Sequence, residues 1–326
     1  MLLVSKIYAQ TKKVPEDFGF RHLQYKFQND PVDVIVISKQ GDERIVKPIF
    51  FFCQGSLPQP VIKYDENGLY GLLPFDENAF LEEFHVVIIG KPFIPIIANV
   101  NQLGENYTYY KDNEKNGTPK NYIERNNLDY YVFRNNFILK QLAKERWVKN
   151  KKIVVAGHSE GSSVAAKMAS LNKKITHLIY SGGNPYGRIM SMLAESRFNE
   201  NDSNEDGSDT IGYWENVVAN SRTTNSNGGD SYKTTYDFSL PQRDNLIKLD
   251  IPVLVVYGTK DWSVAYNDLF QIEIIREKKS NFTFKAYANL EHNFFPVKAD
   301  RKPDFEVYNW DKVAEDWLAW LMTNQE

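Results

Sequence analysis

A single cysteine, Cys53, stands among 326 residues, so no disulfide can form within the chain. No Cys/His cluster has the spacing of a zinc site, and no metal is expected. No apolar run approaches the roughly 18 residues that a membrane span needs. Charge of one sign is scarce too. The formal net charge is −3, which removes any general electrostatic reason to expect nucleic acid. The short basic stretch at 149–152 reads as a solvated helix end and loop. The opening Met1-Leu2-Leu3-Val4-Ser5-Lys6 meets its first charge too soon for a signal peptide, so the expected location is the cytoplasm. Oligomeric state leaves no trace in the sequence.

What is present is ordinary globular material. Hydrophobic residues make up 42 % and charged residues 25 %, enough for a large α/β core plus an insertion. Aromatics reach 14 %, which suits ring-shaped substrates or, more commonly, an aromatic core.

One stretch carries chemistry. The apolar run Ile153-Val154-Val155-Ala156 leads into Gly157-His158-Ser159-Glu160-Gly161, and small, helix-forming residues follow. A strand, G-x-S-x-G and a helix together make a nucleophile elbow, a tight turn that lifts a serine hydroxyl above a sheet. The glycines leave room for neighbouring backbone. Ser159 then sits at a helix N-terminus, where free N–H groups meet developing negative charge. The plain alternative is a glycine-flanked βα turn.

Apolar, β-branched runs recur along the chain. Residues 23–27 and 32–38 flank the turn Gln28-Asn29-Asp30-Pro31 and read as a hairpin at a sheet edge. Runs at 48–53, 85–90, 153–156, 175–180, 251–257 and 282–287 read as strands buried on both faces. Helices are expected over 129–149, after the elbow, and at the C-terminal end, where Val313, Ala314, Trp317, Leu318 and Leu321 share a face. This order implies an α/β fold with a mostly parallel, doubly wound sheet. Two segments break the rhythm: a polar loop at 99–127 rich in tyrosine, and residues 186–250. The division expected is a core of 1–185 and 251–326 with a partly helical cap at 186–250.

A serine hydroxyl needs a histidine to take its proton and a carboxylate to hold that histidine. The chain has five histidines. His22, His85 and His177 lie in or beside strands and are expected to pack. His158 is inside the elbow and should point away from Ser159. His292 follows the last strand, where a loop can swing over the serine, and is the expected base. Asp261, in Tyr257-Gly258-Thr259-Lys260-Asp261, closes a strand at the carboxyl edge of the sheet and is the expected acid. Its alternative role is to cap the helix that follows. The chain order Ser159, Asp261, His292 is the one this elbow architecture uses. Backbone N–H groups of Glu160 and of Ser56, in the loop Gln54-Gly55-Ser56, are the expected oxyanion donors.

Gly157-His158-Ser159-Glu160-Gly161, Gly258-Thr259-Lys260-Asp261 and Glu291-His292-Asn293-Phe294 resemble the three catalytic landmarks of the α/β-hydrolase superfamily. The pattern is similar to its dienelactone-hydrolase-like and prolyl-oligopeptidase-like branches. The resemblance covers nearly the whole chain apart from 186–250. It implies the α/β-hydrolase fold, a triad that needs no cofactor and a site under the cap. Many members have His-Gly after the third strand where this chain has Gln54-Gly55, which leaves the backbone donors in place.

The expected function is a serine hydrolase that cleaves a small-molecule carboxylic ester, or a related acyl bond, through an acyl-enzyme. A peptidase of the prolyl-oligopeptidase-like type is the alternative within the same chemistry. A non-catalytic small-molecule-binding protein on the same fold is the alternative outside it. Tyr107, Tyr110, Trp214 and Tyr236 are expected to line the substrate pocket. Asp202-x-Asn204-x-Asp206-Gly207 matches half of a calcium loop, but Tyr213 stands where the bidentate glutamate belongs, and a solvated cap tip explains it better. Cys53 reads as a buried strand residue.

Overall fold

The computed structural model describes residues 13–111, 117–200, 207–226 and 229–324. The N-terminal stretch and the half calcium loop at 202–206 lie outside the described residues.

Among the described residues eleven strands are formed: β1 (Arg21–Phe27), β2 (Asp30–Ile37), β3 (Lys47–Cys53), β4 (Ile62–Asp65), β5 (Gly68–Leu69), β6 (His85–Ile89), β7 (Ile97–Asn99), β8 (Val148–His158), β9 (His177–Ser181), β10 (Val253–Gly258) and β11 (Phe282–Tyr287). Ten α-helices accompany them: α1 (Asn78–Glu83), α2 (Lys120–Arg125), α3 (Leu128–Leu142), α4 (Glu160–Leu171), α5 (Arg188–Asn199), α6 (Ser208–Ala219), α7 (Tyr232–Ser239), α8 (Arg243–Ile247), α9 (Val264–Arg276) and α10 (Trp310–Thr323).

Eight strands make one sheet in the order β1-β2-β6-β3-β8-β9-β10-β11. β2 runs antiparallel to both of its neighbours, and every other pairing is parallel. Apolar residues fill both faces, as the unbroken runs require. Ile49, Phe51 and Cys53 join a layer with α3, α4 and α9. Phe50 and Phe52, alternating with them, join a layer with α1 and α10. The C-terminal face seen in the sequence is the one buried there, with Trp317 and Leu321 fully covered.

Three boundaries differ from the sequence reading. The β1–β2 turn is only Gln28 and Asn29, at φ 51° and 68°, the geometry of a two-residue hairpin that matches strand twist. Asp30 and Pro31 belong to β2, where Pro31 pairs with Lys26 beyond the stretch joined to β6, so its missing N–H costs no ladder bond. Helix α3 stops at Leu142, and residues 149–152 extend β8 rather than a helix or loop. Val148 pairs with Lys47 and Ile153 with Ile49, so residues 149–152 lie in the register shift between the two pairings, an irregularity that side-chain type does not announce. A small second sheet, β5-β4-β7, was not legible, because its strands are too short to show a period. The polar segment at 99–127 contains α2, and helices α5 to α8 lie between β9 and β10.

Candidate active site

The elbow is built by backbone crowding. Ser159 has φ 57° and ψ −125°, between the end of β8 and the start of α4. That left-handed φ is strained for a residue with a Cβ and is held by surrounding structure. Its N–H donates to Ser181 O at 2.9 Å, tying the turn to β9. The two glycines are required by contact. A Cβ on Gly157 would lie 2.1 Å from Gly161 O, and one on Gly161 would lie 2.1 Å from Cys53 O. The second contact presses the loop after β3, with Gln54-Gly55-Ser56, against the start of α4.

The other two landmarks meet in the same way. A Cβ on Gly258 would lie 2.1 Å from Leu290 O, so the loops after β10 and β11 touch. The His292 loop is closed by Glu291, whose Oε1 accepts from Asn293 N–H at 2.8 Å and Phe295 N–H at 3.0 Å. Phe294, fully buried, anchors it against Trp310 with ring centroids 4.8 Å apart.

These contacts bring Ser159, His292 and Asp261 into one chain of hydrogen bonds. His292 Nδ1–H donates to Asp261 Oδ2 at 2.8 Å, and Nε2 faces Ser159 Oγ at 2.9 Å. With a carboxylate on Nδ1, Nε2 is the atom free to accept the serine proton. Ser263 N–H donates to Asp261 Oδ1 at 2.8 Å. Burial pushes the Asp261 carboxyl up, but His292 and the Ser263 hydrogen bonds outweigh it and hold it below the usual carboxylate range. Burial pulls the His292 ring down, and Asp261, Glu291 and Glu195 outweigh that and hold it above the ordinary imidazole value.

His158 does point away from Ser159. Its Nδ1 meets Ser181 Oγ at 3.0 Å, and its ring lies 5.0 Å from that of His292. Burial, helped by the nearby His292 charge, drives its pKa down to about 3, so it stays a neutral packing partner. His22, His85 and His177 are hydrogen-bonded to Asp33, to Ser38 and the carbonyl of Ile45, and to the carbonyl of Asn324. Cys53 is buried in β3, and burial raises its thiol to about 12, which leaves it unreactive.

A cavity of about 200 Å³ opens at Ser159. Ser56, Glu160, Arg188, Ser191, Phe238 and His292 are among its walls. Among the described residues, neither the Ser56 nor the Glu160 amide is paired with an acceptor, so both are free for an oxyanion.

The other aromatic expectations fare differently. Tyr110 lines a separate cavity of about 370 Å³ that shares Ser56. Tyr107 is 39 % exposed and packs on Tyr70. Trp214 and Tyr236 stack on each other, 5.9 Å apart and 9° from parallel, where α6 meets α7. Tyr107, Trp214 and Tyr236 do not border the cavity at Ser159. Composition cannot tell a ring that packs from a ring that lines a pocket. Trp214→Ala is therefore expected to cost about 1 kcal/mol of stability through the lost stack and to leave the ranking of an ester panel as it is. A reordered ranking would place Trp214 at the substrate.

One group escaped the sequence reading. Behind the elbow the Glu160 carboxylate, 1 % exposed, pairs with Lys91 Nζ at 3.2 Å and with Arg188 Nη2. Arg188 Nη1 also holds Asp230 Oδ2 at 2.6 Å, and Asn126 Nδ2 donates to Asp230 Oδ1 at 3.2 Å. This charge cluster joins the residue after Ser159 to α5 and to the loop before α7. Lys91, just past a strand at the carboxyl edge, carried a weak positional signal. Arg188 and Asp230 carried none.

No family model matches the chain, and no curated protein does. Solved structures do. Over 92 % of this chain and 99 % of the other, it superposes on Est1E from Butyrivibrio proteoclasticus, solved with ferulic acid bound, at a TM-score of 0.56 and 13 % identity. The acylaminoacyl peptidase of Pyrococcus horikoshii matches at a TM-score of 0.52 and 15 % identity, over 84 % of this chain and 37 % of the peptidase. The chain thus spans a little over a third of that enzyme. Sheet order, elbow and superposition agree, and the chain has the α/β-hydrolase fold.

Proposed function

We propose that the protein is a serine hydrolase that cleaves a small-molecule carboxylic ester. The observation that carries this reading is the hydrogen-bonded chain Ser159–His292–Asp261 beside two unpaired backbone N–H groups. Ser159 Oγ attacks the carbonyl carbon while His292 Nε2 takes its proton, with Asp261 steadying the imidazolium. The oxyanion is held by Glu160 and Ser56 N–H, each such donor contributing about 10²- to 10³-fold in rate. His292 returns the proton to the departing alcohol, and water clears the acyl-enzyme by the same steps. Residues 1–185 and 251–326 form the catalytic core in this reading, and 186–250 form the cap. Cap residues Arg188, Ser191 and Phe238 reach the cavity wall, which supports that division. An ester is preferred to an amide because an alkoxide leaves more readily than an amide nitrogen.

A fluorophosphonate probe tests the chemistry. It is expected to label Ser159 in the native protein and to leave Ser159→Ala unlabelled. A native protein that stays unlabelled would refute the reading.

The pH profile follows from the charges. His292 must be neutral to accept a proton, and its pKa stands above the ordinary value. Below that pKa the ring is already protonated. kcat/KM is therefore expected to rise with pH along a single limb centred above about 6.5. Asp261 is ionised throughout that range and His158 neutral, so neither adds a limb. In Asp261→Asn the ring loses its carboxylate, the limb should move to lower pH, and turnover should fall about 10⁴-fold as the amide favours the wrong tautomer. A flat profile across this range would remove histidine as the base.

A further inference from the structure

A second cavity, of about 400 Å³, touches the catalytic pair from another side. Asp261 and His292 border it, and Ser159 does not. Its walls include Ala194 and Phe198 of α5, Trp262 and Val264 after β10, and Val297 and Pro303 after β11, with Thr259, Lys260 and Arg301 also at its border. The side chains from α5, Trp262, Val264, Val297 and Pro303 are apolar, and the space they enclose is about twice the 200 Å³ of the cavity at Ser159, where Ser56, Ser163, Asn184, Arg188 and Ser191 stand among the walls. Asp261, Trp262 and His292 border both cavities. The Arg301 guanidinium lies 5.3 Å from the Phe198 ring and braces that wall. Glu291 also borders the space, but its Oε1 is committed to the amides of its own loop.

Two substituents flank the carbonyl of an ester, and the catalytic groups sort them. The acyl part stays bonded to Ser159, beside the N–H groups of Glu160 and Ser56. The leaving oxygen must come to His292 Nε2, which protonates it. The departing group therefore extends past His292, and the apolar space next to His292 is this second cavity. We infer that it receives the leaving group, an aromatic or bulky aliphatic alcohol, while the smaller cavity at Ser159 takes a short acyl chain. This rests on the serine-hydrolase reading above. As the Ser159 Oγ–carbon bond forms, the carbon–alkoxy bond breaks. The serine proton passes through His292 to the alkoxy oxygen, and the neutral alcohol departs from the second cavity. Water then attacks the acyl-enzyme, gives a proton to His292 and releases the acid, and that proton returns to Ser159.

The test compares phenyl acetate with 2-naphthyl acetate, whose leaving groups are of nearly equal acidity and differ by one fused ring. The native protein should favour the naphthyl ester. Ala194→Phe, which fills the space, and Phe198→Ala, which removes a half-exposed wall, should each lower the naphthyl-to-phenyl ratio of kcat/KM about tenfold. A series of 2-naphthyl esters should fall off with acyl length, and the same fall-off should persist in both variants. Equal losses on both aryl acetates would mean a structural effect and overturn the inference. So would a variant that changes the acyl-length profile, because the space would then hold the acyl chain. If Ser159 takes the fluorophosphonate label but the ratio does not move, only this inference falls. No label and no turnover of any ester would overturn the hydrolase reading with it.

Discussion

Ser159→Ala and His292→Ala are each expected to lower ester turnover by about 10⁴- to 10⁶-fold, and the double variant is expected to be scarcely slower than either. The two residues act as one unit. Without the hydroxyl there is no nucleophile, and without the ring Ser159 keeps its proton. Their contact is direct, Nε2 to Oγ at 2.9 Å, so neither loss is shared with a third group. What survives should come from the Glu160 and Ser56 amides and from binding, which do not depend on either side chain. The measurement is steady-state turnover of an activated ester, with circular dichroism to show that each variant folds. A folded variant within tenfold of the native rate would end the assignment of that residue. Losses that multiply in the double variant would mean that the two act independently, contrary to the geometry.

Arg188→Met is expected to destabilise the protein by about 3 to 5 kcal/mol, the cost of stripping a partner from buried charges. The side chain of Glu160 is 1 % exposed, and Arg188 joins it to Asp230. Removal leaves two carboxylates near one another, with Lys91, itself 4 % exposed, still on Glu160 and Asn126 still on Asp230. Arg188→Lys should recover only part of the loss, because one ammonium cannot reproduce a planar fork shared between two carboxylates. Urea unfolding at neutral pH reads both. A midpoint for Arg188→Met equal to that of the native protein would show that the cluster contributes nothing net. In the proposed mechanism Glu160 supplies an oxyanion N–H, so turnover should fall in the same variant, through displacement of the start of α4 rather than through lost chemistry.

The elbow and the two residues that meet it, Asp261 and His292, were legible because each is local in the chain. Gly157, Ser159 and Gly161 announce a strand-to-helix turn within five residues. Asp261 and His292 each follow a strand whose apolar run marks it. A parallel sheet brings such strand ends to one edge, so three distant motifs could be placed together without coordinates. Strand burial on both faces was readable for the same reason, since an unbroken apolar run has few other homes.

What depended on approach between distant segments was not readable. Lys91, Arg188 and Asp230 are ordinary surface-type residues until folding gathers them around the buried Glu160, and no spacing predicts that. Trp214 and Tyr236 look like pocket residues by type, yet they satisfy each other across two helices. The extension of β8 through a run of lysines follows from a neighbour, Lys47, a hundred residues away. Local backbone chemistry determined which residues could react. Tertiary packing decided what surrounds them, because cavity shape and charge pairing are sums over contacts that no single stretch of sequence contains.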